Sequence, residues 1–395
     1  MRAKLVTVGA KNSQIEAGAG RRKGSWQVLL ALGCLLLTLS SVPRWLCGRD
    51  ANALFEGDSK AQQALADGVI EALARRRGQL FYRTGYLRFD GQSAVAIDQM
   101  TLMGLSQIVQ LHPELREKYL PIAREAAKHL VDPQTLAYAT RVYGHNGVVA
   151  LHPGEGHAYL GYINLGLGML RAIDPDTPLA AVHDRLSSAL AAELFSSPTG
   201  LIETYPGETW PPDVAAVAGS IGLHSKLTGV DRSAQLALWS ARFSACSIAG
   251  DGYLVQRVKS GACVPVDAPR GSGTAVSAYF LSFADRGLSE RLHHALSGAG
   301  ERTLFGFGAI REYGAGFAGN GDTNAGPVLF GVSVGATGFA LGSASVNRDR
   351  ELFRELYRTL YLFGVPSDTD GRRGFVVGGT LGNALLLAML TARPT

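Results

Sequence analysis

Residues 200–229 read GLIETYPGETWPPDVAAVAGSIGLHSKLTG. The first half gathers Glu203, Tyr205, Glu208, Trp210 and Asp213 among turn-forming Gly and Pro. Glu208 and Asp213 are carboxyls able to give or take a proton. Tyr205 and Trp210 add flat surfaces for a sugar ring or an isoprenoid chain. Pro-Pro-Asp before an uncharged run is a helix-start signal, so this polar loop feeds the N-terminus of a buried helix. Gly154-Glu155-Gly156-His157-Ala158-Tyr159 has the same form. His157 is the best proton-transfer candidate, because an imidazole titrates near neutrality, and Glu155 stands beside it. Other loops carry Arg88 with Asp98 shortly after it, Arg270, and Asp322. Asp98, Asp213 and Asp322 each also read as a plain helix cap. Arg270 reads as a clamp for a carboxylate or phosphate, or as one side of a salt bridge.

Two kinds of helix must position these loops. One kind is amphipathic and charged, with apolar residues recurring at three and four: 61–77, 113–130, 179–195, 232–246, 289–297 and 349–363. The other is apolar nearly all round and rich in Gly, Ala and Ser: 96–111, 158–172, 214–227, 274–283, 327–342 and 381–391. A helix without a wet face has to be surrounded by other helices. The dry helices begin at intervals of 62, 56, 60, 53 and 54 residues, the mark of a repeat architecture. The expected fold is all-α, an (α/α)6 barrel of six helical hairpins with the dry helices inside. An open solenoid is the other arrangement, and it would leave each dry helix exposed on one side. Every dry helix then runs the same way, so all six loops and the positive helix ends meet at one mouth. Short strands are expected at 200–205 and 252–258.

Hydrophobic residues make up 46% of the 395, which suits a large core. The formal net charge is +5, and residues 1–25 account for it, leaving a near-neutral body with no global attraction to nucleic acid or to anionic membranes. Residues 26–43 are uncharged and follow Arg21, Arg22 and Lys23, which predicts one N-terminal transmembrane helix with a cytoplasmic N-terminus. A cleaved signal peptide is the competing reading. The expected organisation is a basic tail (1–25), an anchor (26–43), a linker (44–60) and the barrel domain (61–395). The barrel would lie outside the cytoplasm, on a single-pass cell-membrane protein. There Cys246 and Cys263 either form a disulfide or stay as two unpaired core residues. His145, His152, His224, His293 and His294 read as loop or surface histidines.

No HExxH, CxxC, calcium loop or phosphate loop is present, so no metal and no cofactor are expected. With six hairpins, the Asp98 helix start, the Gly-Glu-Gly-His turn and the Tyr-Pro-Gly-Glu-Thr-Trp-Pro-Pro-Asp loop, the chain resembles the linalool dehydratase/isomerase-like family over roughly residues 80–391. The resemblance implies acid/base removal and return of water on a small alcohol-type terpene, a lyase or isomerase activity without a metal. It places Asp98, His157 and Tyr205 in the roles of that family's aspartate, histidine and tyrosine. The family's cysteine pair is missing; Glu208 and Asp213 stand where it is expected. The expected catalytic set is therefore Asp98, Glu155, His157, Tyr205, Glu208 and Asp213. Arg88, Tyr159, Trp210, Arg270 and Asp322 are expected to bind substrate. Two alternatives share the architecture. One is a cell-envelope glycoside hydrolase or polysaccharide lyase with paired carboxylates. The other is a non-catalytic ligand-binding barrel.

Overall fold

In the computed structural model of the protein the described residues are 16–75, 87–150, 157–322 and 325–394. They are mostly helical, and the fold is all-α with a few short strands. The chain divides into two units, Met1–Leu46 and Cys47–Thr395. The described part of the first is one long helix, α1 (Glu16–Gly48), whose last residues begin the second unit. The apolar run 26–43 lies inside α1. No helix among the described residues is long and apolar enough to cross a membrane.

The second unit opens with α2 (Ala51–Glu56), α3 (Ser59–Arg75), α4 (Leu87–Leu111) and α5 (Arg116–Val131). It continues through α6 (Ala137–Tyr143), α7 (Gly147–Ala150), α8 (His157–Ile173), α9 (Ala180–Ser196), α10 (Pro211–Thr228) and α11 (Ser233–Ser247). It ends with α12 (Gly271–Leu281), α13 (Arg286–Ala295), α14 (Val334–Val346), α15 (Arg350–Gly364) and α16 (Gly379–Leu390). Helices α4, α8, α10, α12, α14 and α16 pack in that order, and α16 returns to α4. The amphipathic helices α3, α5, α9, α11, α13 and α15 rest against that ring. These are the dry and wet helices of the sequence. The linker expected at 44–60 is itself helical, because Ala51 and Leu54 are buried and draw α2 onto α15.

Small residues set how close the ring can draw. A Cβ on Gly161 of α8 would stand 2.9 Å from the backbone nitrogen of Val217 in α10. One on Gly222 of α10 would meet the Cα of Ala284 at 2.5 Å. At such spacing the backbones touch, and dispersion acts along the full contact. Polar side chains lock the register. Asn164 Nδ2 donates to Ser187 Oγ (3.0 Å) and Ser220 Oγ (2.9 Å), joining α8, α9 and α10. Tyr279 donates to Gln107 Oε1 (2.8 Å), while Gln107 Nε2 donates to Ala388 O (3.0 Å) and Thr391 Oγ1 (2.9 Å). That chain ties α12, α4 and α16 in a buried setting, where satisfied networks specify one arrangement.

Among the described residues four two-stranded antiparallel ribbons decorate the loops: β1 (Glu208–Thr209) with β2 (Val258–Lys259), β3 (Glu301–Leu304) with β4 (Phe307–Ile310), β5 (Val328–Leu329) with β6 (Val332–Ser333), and β7 (Pro366–Thr369) with β8 (Arg372–Phe375). The strand expected at 200–205 does not form. Gly200 and Gly207 sit at φ +72° and +75° and turn the chain back, so Tyr205 only bridges Glu208. Of 252–258, Val258 alone enters a strand. The dry helix expected from 327 starts at Val334 instead, because β5 and β6 take up 328–333. Cys246 and Cys263 form a disulfide, tying α11 to the loop after β2. His224 and His293, expected at the surface, are buried.

Gly161→Ala should cost about 1–3 kcal/mol by forcing α8 away from α10. The check is the urea midpoint; an unchanged midpoint would mean that the two backbones do not touch there.

Candidate functional site

Gly200 and Gly207 fold the third loop so that Tyr205 is buried. β1 then pairs with β2 and carries the chain to Trp210, whose extended backbone precedes α10. Pro211 and Pro212 occupy the first turn, where a missing N–H costs nothing. Asp213 follows in that turn, with its own N–H donating to Trp210 O (3.0 Å). Its carboxyl points inward and is buried. Tyr162 of α8 donates to its Oδ1 at 2.9 Å.

Burial is the dominant influence on this acid. Desolvation pushes its pKa up to about 7, against a smaller lowering by the Tyr162 hydrogen bond. The carboxyl is thus poised to exchange a proton near neutrality. Tyrosines surround it. Tyr205 donates to Gln92 Oε1 and stacks on Tyr143, centroids 6.1 Å apart. Tyr143 leans on Tyr159, which meets Tyr138 edge-on. Burial first, and then the Asp213 charge, hold the phenols of Tyr162 and Tyr205 well above their usual range, and burial followed by Tyr159 and Asp213 does the same for Tyr138.

The group borders a cavity of about 150 Å³ at the N-terminal ends of the ring helices. All six contribute: Gln92, Ser93 and Met100 from α4, Tyr162 from α8, Asp213 from α10, Ser272 and Val276 from α12, Phe339 from α14, and Leu381 and Leu385 from α16. Tyr205, Trp210 and Gln256 close it from the loops. The volume matches a molecule of about six carbons. Asp213 is the one carboxylate among the described lining residues. Gln256 is buried, and its Oε1 has no hydrogen-bond partner among the described residues. A buried acceptor in that state favours a ligand that donates.

The expected site residues divide. Tyr205, Trp210 and Asp213 line the cavity. Glu208 stands behind Trp210, accepting from its Nε1 at 2.8 Å and pairing with Arg257 at 3.6 Å. Tyr159 belongs to the tyrosine group, its hydroxyl accepting from Gly147 N (2.7 Å). Asp98 is turned to α5, where His129 Nδ1 lies 3.7 Å from its Oδ1, and it does not line the cavity. Nor does His157: its Nδ1 donates to Glu203 O (2.6 Å), pinning the third loop to α8, and burial holds its pKa below the usual value. Arg270 is no free anion clamp. Asp322 (2.8 Å), Asp267 (3.2 Å) and Glu312 (3.6 Å) already surround it, so Arg270 and Asp322 cross-link loops. Glu155 and the side chain of Arg88 lie outside the described residues.

Tyr162 and Gln256 are lining residues that motif reading passed over. Tyr162 had a signal, a phenol three residues after Tyr159 in a helix otherwise almost devoid of polar groups. Gln256 had none, since nothing local says that its loop turns inward.

Away from the cavity, His183, Asp184 and His224 place ligand atoms within 4.8 Å of one another. Arg171 holds Asp184, and Arg232 approaches His224 Nδ1 at 2.8 Å. Two guanidiniums oppose a cation there. The chain matches no protein-family model and no curated protein.

Asp213 titrates near 3.8 when exposed and near 7 when folded. The folded state therefore keeps a proton that the unfolded chain gives up, and stability falls as pH rises from about 4 to about 7. Asp213→Asn stays neutral throughout. Its denaturation midpoint should gain on the wild type across that window and hold the gain above it. A constant offset from pH 4 to 8 would contradict the buried-acid geometry.

Proposed function

We propose that the protein is an (α/α)6 barrel that removes or returns water, or shifts a double bond, on a small apolar alcohol. The observation that carries this reading is one buried carboxyl, poised to exchange a proton near neutrality, facing an apolar cavity of about 150 Å³. Asp213 protonates the substrate hydroxyl, and the C–O bond breaks with its electron pair leaving on water. The carbon left electron-poor faces the rings of Tyr205, Trp210 and Phe339, whose π faces attract positive charge. The Asp213 carboxylate then takes a proton from a neighbouring carbon. An alkene forms and the acid is restored. Run in reverse, the same steps add water. Gln256 Oε1 accepts from the substrate hydroxyl, which orients the leaving group.

Asp213, with Tyr162 behind it, takes the acid role that the family resemblance put on Asp98 and His157. A glycosidase would require a second carboxylate across the site, and Asp213 stands alone among the described lining residues. The Cys246–Cys263 disulfide supports an oxidising, extracytoplasmic place for the second unit. The basic residues before the apolar run support a cytoplasmic N-terminus and a single-pass anchor.

The test is conversion of allylic alcohols of five or six carbons, followed by gas chromatography. Asp213→Asn should lower turnover about 10²–10⁴-fold. The wild-type rate should decline above pH 7 as the acid loses its proton. Tyr162→Phe should move that decline to higher pH, because the lost hydrogen bond had lowered the pKa. Binding of such alcohols without turnover would leave a ligand-binding barrel instead.

A further inference from the structure

A second cavity, of about 420 Å³, opens at the opposite end of the ring. Ser345 and Arg348 border it where α14 ends, and Arg393 where the chain leaves α16. Arg350 joins them from the start of α15, and Phe55 and Glu56 from the end of α2. Three arginines thus border one cavity, against a single carboxylate among the described residues. Glu56 is already committed to Arg350, whose guanidinium also lies over the Phe55 ring at 5.4 Å. Arg348 and Arg393 have no carboxylate partner among the described residues. The Nε of Arg393 is buried without an acceptor. Gly57, at φ +80°, has no Cβ, and one placed there would collide with the Arg393 guanidinium.

The carbonyl ends of α14 and α16 attract cations to this end of the ring. That pull accounts for where the arginines gather. It leaves the buried Arg393 Nε without a partner and like charges facing one another. An oxyanion would resolve both, because the planar guanidinium fork matches phosphate geometry.

We propose that this cavity binds a phosphate-type oxyanion. Its source is either a soluble phosphate ester or a phospholipid headgroup. The second source fits the covalent order of the chain, since Phe55 follows the end of the apolar run 26–43 by twelve residues.

The experiment uses the full chain and two probes. Inorganic phosphate is titrated calorimetrically, and flotation is measured with phosphatidylcholine vesicles with and without phosphatidylglycerol. Arg348→Gln is the main variant, because that side chain is exposed and its loss leaves the core intact. Arg286→Gln, which removes a surface pair with Glu290 on α13, is the control. Saturable phosphate binding, weakened about tenfold by Arg348→Gln and unchanged by Arg286→Gln, supports a soluble ligand. No phosphate binding, but an increment of flotation on phosphatidylglycerol that only Arg348→Gln removes, supports a lipid headgroup. The proposal falls if phosphate gives no saturable heat and Arg348→Gln floats like the wild type; the arginines then only cap helix ends.

Discussion

The whole second unit depends on one constraint: six helices without a wet face must each be covered on every side. Val217, Ala275 and Ala340 are wholly buried. Desolvating those surfaces is the main gain on folding. It is realised in full only if the last helix returns to the first, as α16 does to α4. Closure in turn needs backbones that approach to contact, which Gly161 and Gly222 permit. The buried ties through Asn164 and Gln107 then fix the register that apolar contact alone would leave loose.

The candidate site follows from the same closure. Parallel dry helices bring their N-terminal loops to one end, so Gln92, Tyr162, Asp213 and Gln256 meet although they are far apart in the chain. Burial that stabilises the ring also strips water from Asp213. A carboxyl that would ionise readily at the surface becomes an acid near neutrality. The surrounding phenols stay neutral for the same reason. The site is therefore a place where the core's dryness has been extended to a polar group, with one hydrogen bond to keep it placed.

The two ends of the ring differ in kind. At the mouth, loops fold inward and present neutral donors and acceptors around a small apolar space. At the other end, guanidiniums gather where helix carbonyls terminate. Between them the Tyr279–Gln107–Thr391 chain and packed side chains fill the interior.

The alternation of wet and dry helices was legible in the residues themselves. Periodicity is a local property, and α15 or α10 declares its type over a few turns. The loop 200–213 was legible too as polar and aromatic, and Tyr205, Trp210 and Asp213 line the cavity. What local pattern could not give is direction. Asp98 and Asp213 look alike in the sequence as acids opening a dry helix, yet Asp98 sits mid-way along α4 and turns to His129 on α5, while Asp213 stands in the first turn of α10 and turns to Tyr162 inside the ring. His157 promised proton transfer and instead pins a loop through Glu203 O. Rotation of each helix about its axis is set by packing against both neighbours, which no single stretch of sequence contains. The same holds for Gln256, whose loop lies between the Cys246–Cys263 disulfide and the β1–β2 pairing, both made with distant parts of the chain. Residues 200–229 determined that a polar, aromatic loop would enter a buried helix. The closed ring decided which of its acids loses its water.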